Sequence, residues 1–164
     1  MKTLFLFVSI LCASSALFSQ NLTLIKKVHE KTDSNTYVVK YTSHGDKFYS
    51  NVNNPFEGLE DGYWPDGIRK ITVMGERPDS IAMEVLNPYH TKRKEDISSV
   101  YIAANYDLKG EMRFLVIGLP ANVDIPIQVI EKLENRVKKE SHLKLDYDPK
   151  RAKGINYIRL VWMY

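Results

Sequence analysis

Beyond about residue 22, the first half of the chain is dominated by apolar and polar positions that alternate with a period of two. Tyr37, Val39 and Tyr41 alternate with Val38, Lys40 and Thr42. A turn at Ser43-His44-Gly45-Asp46 then leads into Lys47-Phe48-Tyr49-Ser50, the pattern of a β-hairpin. Residues 68–74 and 80–86 read as two further strands, joined across Gly75 to Asp79. Between the hairpin and these strands, residues 51–67 are rich in Asn, Gly, Pro and acidic side chains and read as a loop. Residues 22–31 fit a strand through Leu22, Leu24, Lys26 and Val28, and a helical face through Ile25, Val28 and His29. The alternation favours the strand.

A boundary is expected over residues 87–96, where Pro88 and Lys92-Arg93-Lys94 interrupt the apolar pattern. Val100, Ile102, Ala104 and Tyr106 then share one face of a strand. The turn Asp107-Leu108-Lys109-Gly110 feeds a second strand over 111–119, whose Phe114-Leu115-Val116-Ile117 is apolar on both faces. The clearest helix spans 124–140. Asp124 can cap it, Pro126 is tolerated in its first turn, and Ile127, Ile130, Leu133 (or Glu134) and Val137 recur at helical spacing. Glu134 and Lys138 form a favourable i,i+4 pair, and Lys138-Lys139 sit where the helix dipole prefers cations. Strands over 143–147 and 155–163 close the chain, with Ile158, Leu160, Trp162 and Tyr164 on one face. The pattern predicts an α+β fold, antiparallel sheet or sheets with one main helix packed on the C-terminal strands. Its organisation is a leader at 1–19, a β-rich region at 20–95 and a strand–strand–helix–strand module at 96–164.

The leader reading comes from Lys2, the apolar run over 4–11 and the small residues Ala13, Ser14, Ser15, Ala16 and Ser19, the three parts of a secretory signal peptide. The apolar run is too short for a membrane span, which needs about twenty residues, and no later segment replaces it. Export to the periplasm, surface or surroundings of a bacterium is therefore expected. Cys12, the one cysteine, falls in the leader, and Leu11 before it is not the small residue that a lipidation motif requires. The mature chain then has no disulfide, thiolate metal site or cysteine nucleophile. It must be held by core packing alone, which suits a bacterial envelope better than a eukaryotic secreted module. Asn21-Leu22-Thr23 matches the N-glycosylation pattern, which carries no meaning in a bacterial protein.

Composition is that of an ordinary globular chain, with 44% hydrophobic and 26% charged residues, and excludes long disorder or a fibrous repeat. Net charge is +3, or +2 once Lys2 leaves with the leader. With export, that modest charge argues against a nucleic-acid partner.

Residues 98–164 resemble the C-terminal domain of TonB-type proteins, as elaborated in secreted Bacteroidetes proteins. The resemblance is carried by Tyr106-Asp107-Leu108-Lys109-Gly110-Glu111-Met112, the helix from Ile127, and Gly154-Ile155-Asn156-Tyr157-Ile158-Arg159-Leu160. It covers under half of the chain, and Asp148-Pro149-Lys150 matches the usual link after the helix only loosely. The proline-rich spacer of those proteins does not precede residue 98, so energy transduction does not carry over. The resemblance implies an architecture, a helix on a small antiparallel sheet, and no activity.

Motifs for catalysis are missing from the sequence. His29, His44, His90 and His142 form no metal-ligand spacing, and there is no nucleophile elbow, phosphate loop or regular calcium loop. His142 reads as a structural imidazole at the end of the helix. No metal and no cofactor is called for. The most unusual segment is residues 53–67, where Tyr63, Trp64 and Asp66 form the candidate ligand site. The two rings suit stacking on a sugar, although Trp64 and Phe56 equally suit packing as anchors for a long loop. We expect Trp64 to be the buried anchor and Tyr63 to be at least half exposed. Basic residues gather at Lys92-Arg93-Lys94, Lys138-Lys139 and Lys150, Arg151 and Lys153, each beside acids that make a solvated surface. The expected function is a non-enzymatic exported domain that contacts an envelope protein or a glycan. The alternative is a small glycan hydrolase using two of Glu57, Glu60, Asp61 and Asp66.

Overall fold

A computed structural model of the chain describes residues 24–59, 67–89 and 100–163. Among the described residues, eight strands and two helices follow in the order β1 (Leu24–Lys31), β2 (Thr36–Thr42), β3 (Lys47–Asn51), β4 (Ile68–Gly75), α1 (Pro78–Leu86), β5 (Tyr101–Tyr106), β6 (Met112–Leu119), α2 (Ile127–Glu140), β7 (Ser141–Tyr147) and β8 (Ile158–Met163). A short 3-10 turn, Asn87–Tyr89, follows α1. The fold is α+β, with one six-stranded antiparallel sheet ordered β1-β2-β3-β6-β5-β8 and a two-stranded sheet of β4 and β7.

Residues 80–86 are helix α1, not the strand that their sequence suggests. Ile81, Met83 and Val85 do alternate, but Ile81, Ala82, Val85 and Leu86 also lie on one helical face, and these four, with Pro78 of the first turn, are the buried ones. Pro78 occupies the first turn, where its missing N–H has no intrahelical partner, and Asp79 pairs with Arg77 at 2.6 Å. Tertiary burial of that face selects the helix. Helix α2 also begins later than its sequence suggests, at Ile127 after Pro126, and without a side-chain cap. Asp124 instead meets Lys47 Nζ at 2.9 Å. His142 belongs to β7, although its Nε2 still donates to the carbonyl of Lys139 in the last helical turn, at 3.1 Å.

The hairpin, the two central strands and β8 lie where the alternation places them. The Asp107-Gly110 turn closes through Gly110 N–H to the Asp107 carbonyl at 2.9 Å. Gly110 has φ 86, and any side chain there would strike the Leu143 carbonyl, so glycine is required. β3 pairs with β6 and β4 with β7, so residues from both sides of the expected boundary at 87–96 build both sheets.

The core lies on one face of the six-stranded sheet. There Tyr37, Val39, Tyr49, Ile102, Ala104, Leu115, Ile117 and Ile158 meet Ile81 and Leu86 of α1 and Ile130, Leu133 and Val137 of α2. Leu143 of β7 and Ile68 of β4 join this core. Among the described residues one charged side chain is buried within it, Glu134, which accepts a hydrogen bond from the Tyr37 hydroxyl at 2.6 Å and pairs with Lys138 at 2.7 Å.

Candidate functional site

The candidate site is the opposite face of the same sheet. Residues directly across a ladder share a face, so the register fixes what that surface presents. One row runs Lys27, Lys40, Phe48, Gly118 and Tyr101, and the next His29, Val38, Ser50, Val116 and Ala103. A third joins Phe114, Asn105 and Arg159. Val39, Tyr49 and Ile117 point into the core, so their neighbours must point away from it.

Gly118 shapes this surface. A Cβ there would lie 2.8 Å from Phe48 and 3.0 Å from Tyr101, and its absence lets the two rings meet edge to face at 5.8 Å. On the other side, the segment after β3 folds over Phe114. Asn51 and Asn54 side chains accept from the backbone N–H of Asn53 and Phe56, at 2.9 and 3.0 Å, and turn the chain back on itself. Phe56 thereby stacks on Tyr157 at 4.5 Å, and the two cover Phe114. Arg159 lies over the Tyr157 ring and donates to Asn105 Oδ1 at 3.0 Å.

Between this aromatic wall and β1 lies a cleft of about 500 Å³. Val38, Phe48, Phe114 and Val116 form its apolar floor, with Ser50 at the centre and Val52, Asn54 and Glu57 along the wall. Among the described residues, Lys27, Lys40 and Arg159 bring three cations to it against the single carboxylate of Glu57. Lys27 and Lys40 are exposed, and neither is ion-paired among the described residues. The arrangement offers apolar contact below and positive charge at the rim.

The sequence-predicted site residues Tyr63, Trp64 and Asp66 lie outside the described residues, as do Glu60 and Asp61, so the expected burial of Trp64 lies there too. Phe56, the other candidate anchor, is buried. Of the four carboxylates proposed for hydrolysis only Glu57 is described, and it is exposed. Among the described residues no group of three or more His, Cys, Asp or Glu is placed to hold a metal, and no helix is long and apolar enough to cross a membrane. Of the basic clusters named from sequence, the described ones do not line the cleft, since Lys138 is bound to Glu134 and Lys150, Arg151 and Lys153 sit on an exposed turn; Lys92-Arg93-Lys94 lies outside the described residues. The cleft cations were missed because they come from three separate strands, and two of them, Lys40 and Arg159, are the single cation of theirs. Their signal is one cation interrupting an apolar strand, as at Lys40 in TYVVKYT and Arg159 in IRLVWM.

Fold and cleft together define an α+β domain that packs helices on one face of an antiparallel sheet and leaves an open, cation-rimmed surface on the other. The same fold is found in the crystal structure of a DUF5043 family protein from Bacteroides uniformis, with a TM-score of 0.57 at 18% identity over 89% of this chain and 91% of that one. No protein-family model matches the chain, and no curated protein matches it in sequence.

Proposed function

We propose that this chain is an exported, non-enzymatic bacterial domain that holds a ligand of the cell envelope against the outer face of its six-stranded sheet. The observation that carries this reading is the cleft itself, an apolar floor beside Lys27 and Lys40, which have no ion-pair partner among the described residues, on the face that the helices leave open. A surface of that composition is costly to leave exposed and is the usual mark of a binding site. The leader over 1–19 and the Bacteroides origin of the structural neighbour support an envelope setting. The TonB-like resemblance is read as architecture: β5, β6, α2 and β8 give the strand–strand–helix–strand order, β8 returns beside β5, and β7 is an added strand paired with β4.

The test is capture from glycan arrays and envelope fractions by the mature protein and by Ser50→Trp, which fills the centre of the cleft. The wild type should retain a ligand that Ser50→Trp loses, with the circular dichroism of both unchanged. A ligand retained equally by both places the site elsewhere, and release of cleaved glycan would replace the reading with the hydrolase.

A further inference from the structure

Lys27 of β1 and Lys40 of β2 are direct cross-strand partners. Both line the cleft, both are exposed, and neither has an ion-pair partner among the described residues. Like charges placed directly opposite destabilise a sheet. Moreover, the strand that would have to accommodate them is an edge strand, held by β2 alone. An anion seated between the two ammonium groups converts that repulsion into two charge-assisted contacts.

The floor beside this pair is unlike a sugar subsite. Phe48 lies across the ladder from Lys40, and Val38, Val116 and Phe114 continue the apolar surface across β2, β3 and β6. A saccharide brings a hydroxyl at nearly every carbon, and each needs a polar partner when it is desolvated. Among the described residues the floor itself carries one hydroxyl, Ser50, and the other neutral polar groups, Thr42, Asn51 and Asn54, stand at the edges of the cleft rather than along its apolar base. A volume of about 500 Å³ also falls in the range of small-ligand pockets rather than polymer grooves. Building on the cleft reading above, we infer that the ligand is a single-chain amphiphile, its anionic headgroup between Lys27 and Lys40 and its apolar body over Val38, Phe48 and Val116.

The experiment is titration calorimetry of the mature protein with monomeric decyl phosphate, decyl maltoside and inorganic phosphate. Decyl phosphate should bind saturably, and each of the other two about tenfold or more weakly, because each lacks one half of the recognition. Lys40→Gln should weaken decyl phosphate by about tenfold or more. It should also raise the melting temperature of the ligand-free protein, because the repulsion across the ladder is gone; a merely solvent-facing lysine would move neither. Equal affinity for decyl maltoside or for inorganic phosphate overturns the inference. So does an unchanged Lys40→Gln, or binding to anionic vesicles with none to the monomer. If an oligosaccharide or a protein is captured by the wild type and lost in Ser50→Trp while decyl phosphate fails to bind, the cleft reading stands and the amphiphile falls. If Ser50→Trp alters no binding, the cleft reading falls with it.

Discussion

Removing one hydroxyl, in Tyr37→Phe, tests how α2 is locked to the sheet. Glu134 is 2% exposed and Tyr37 1%. The hydroxyl donates to Glu134 Oε2 at 2.6 Å, and Asn51 Nδ2 approaches the same oxygen at 3.5 Å. Lys138 supplies the countercharge on the other oxygen at 2.7 Å. One turn earlier on the helix, Glu131 accepts from Thr32 Oγ1 at 2.9 Å and from the Asn35 side-chain amide, so its carboxylate holds the turn between β1 and β2. A hydrogen bond to a charged group contributes about 1.5–3 kcal/mol, so Tyr37→Phe should cost about that much in urea denaturation, with the slope unchanged. Glu134→Leu should cost more, because it leaves the Tyr37 hydroxyl buried without its acceptor, a penalty of about 1–3 kcal/mol by itself. Adding Tyr37→Phe to Glu134→Leu should then be nearly neutral, and the cycle should report a coupling of about 0.5–3 kcal/mol. A Tyr37→Phe cost below about 0.5 kcal/mol, or additive single costs, would refute this account of the helix lock.

Leu133 is fully buried against the sheet, so Leu133→Ala should cost about 2–5 kcal/mol in the same assay, and a loss near zero would mean that α2 docks differently. Burial pushes the hydroxyls of Tyr37, Tyr49 and Tyr106 up, that of Tyr106 to about 12, from an ordinary value of 10.0. Because the folded value is the raised one, this stability is whole below pH 10 and is lost as pH climbs towards 12, so tyrosinate absorbance should lag until the fold opens. Independent titration of every tyrosine near its ordinary value would contradict the burial. Mass spectrometry of exported protein should show loss of about the first 16 to 20 residues without lipid, and retention of Met1 would overturn export.

Local pattern reached the strands whose sequence fits a single period. β2 was legible because Tyr37 and Val39 face one way while their neighbours face the other, and β6 because Phe114 to Ile117 is apolar on both faces. α2 was legible because its buried positions repeat over four turns. α1 was misread because nine residues carry both periods, and only packing against the core decides between them. Sheet order was out of reach: Tyr49 meets Ile117, and Ile71 meets Leu145, across separations that no local signal spans. The cleft was invisible for the same reason. Its cations come from three strands, and the repulsive pair Lys27 and Lys40 exists only once β1 and β2 are in register.

The most direct test of the cleft as the ligand site is amide chemical-shift mapping of the mature protein as decyl phosphate is added. The account predicts saturable changes at Lys27, Val38 to Lys40, Phe48 to Ser50 and Phe114 to Val116, with the exposed face of α2 and the β4–β7 pair silent. Changes confined to α2 or to β4 and β7, or none at saturating ligand, would contradict it.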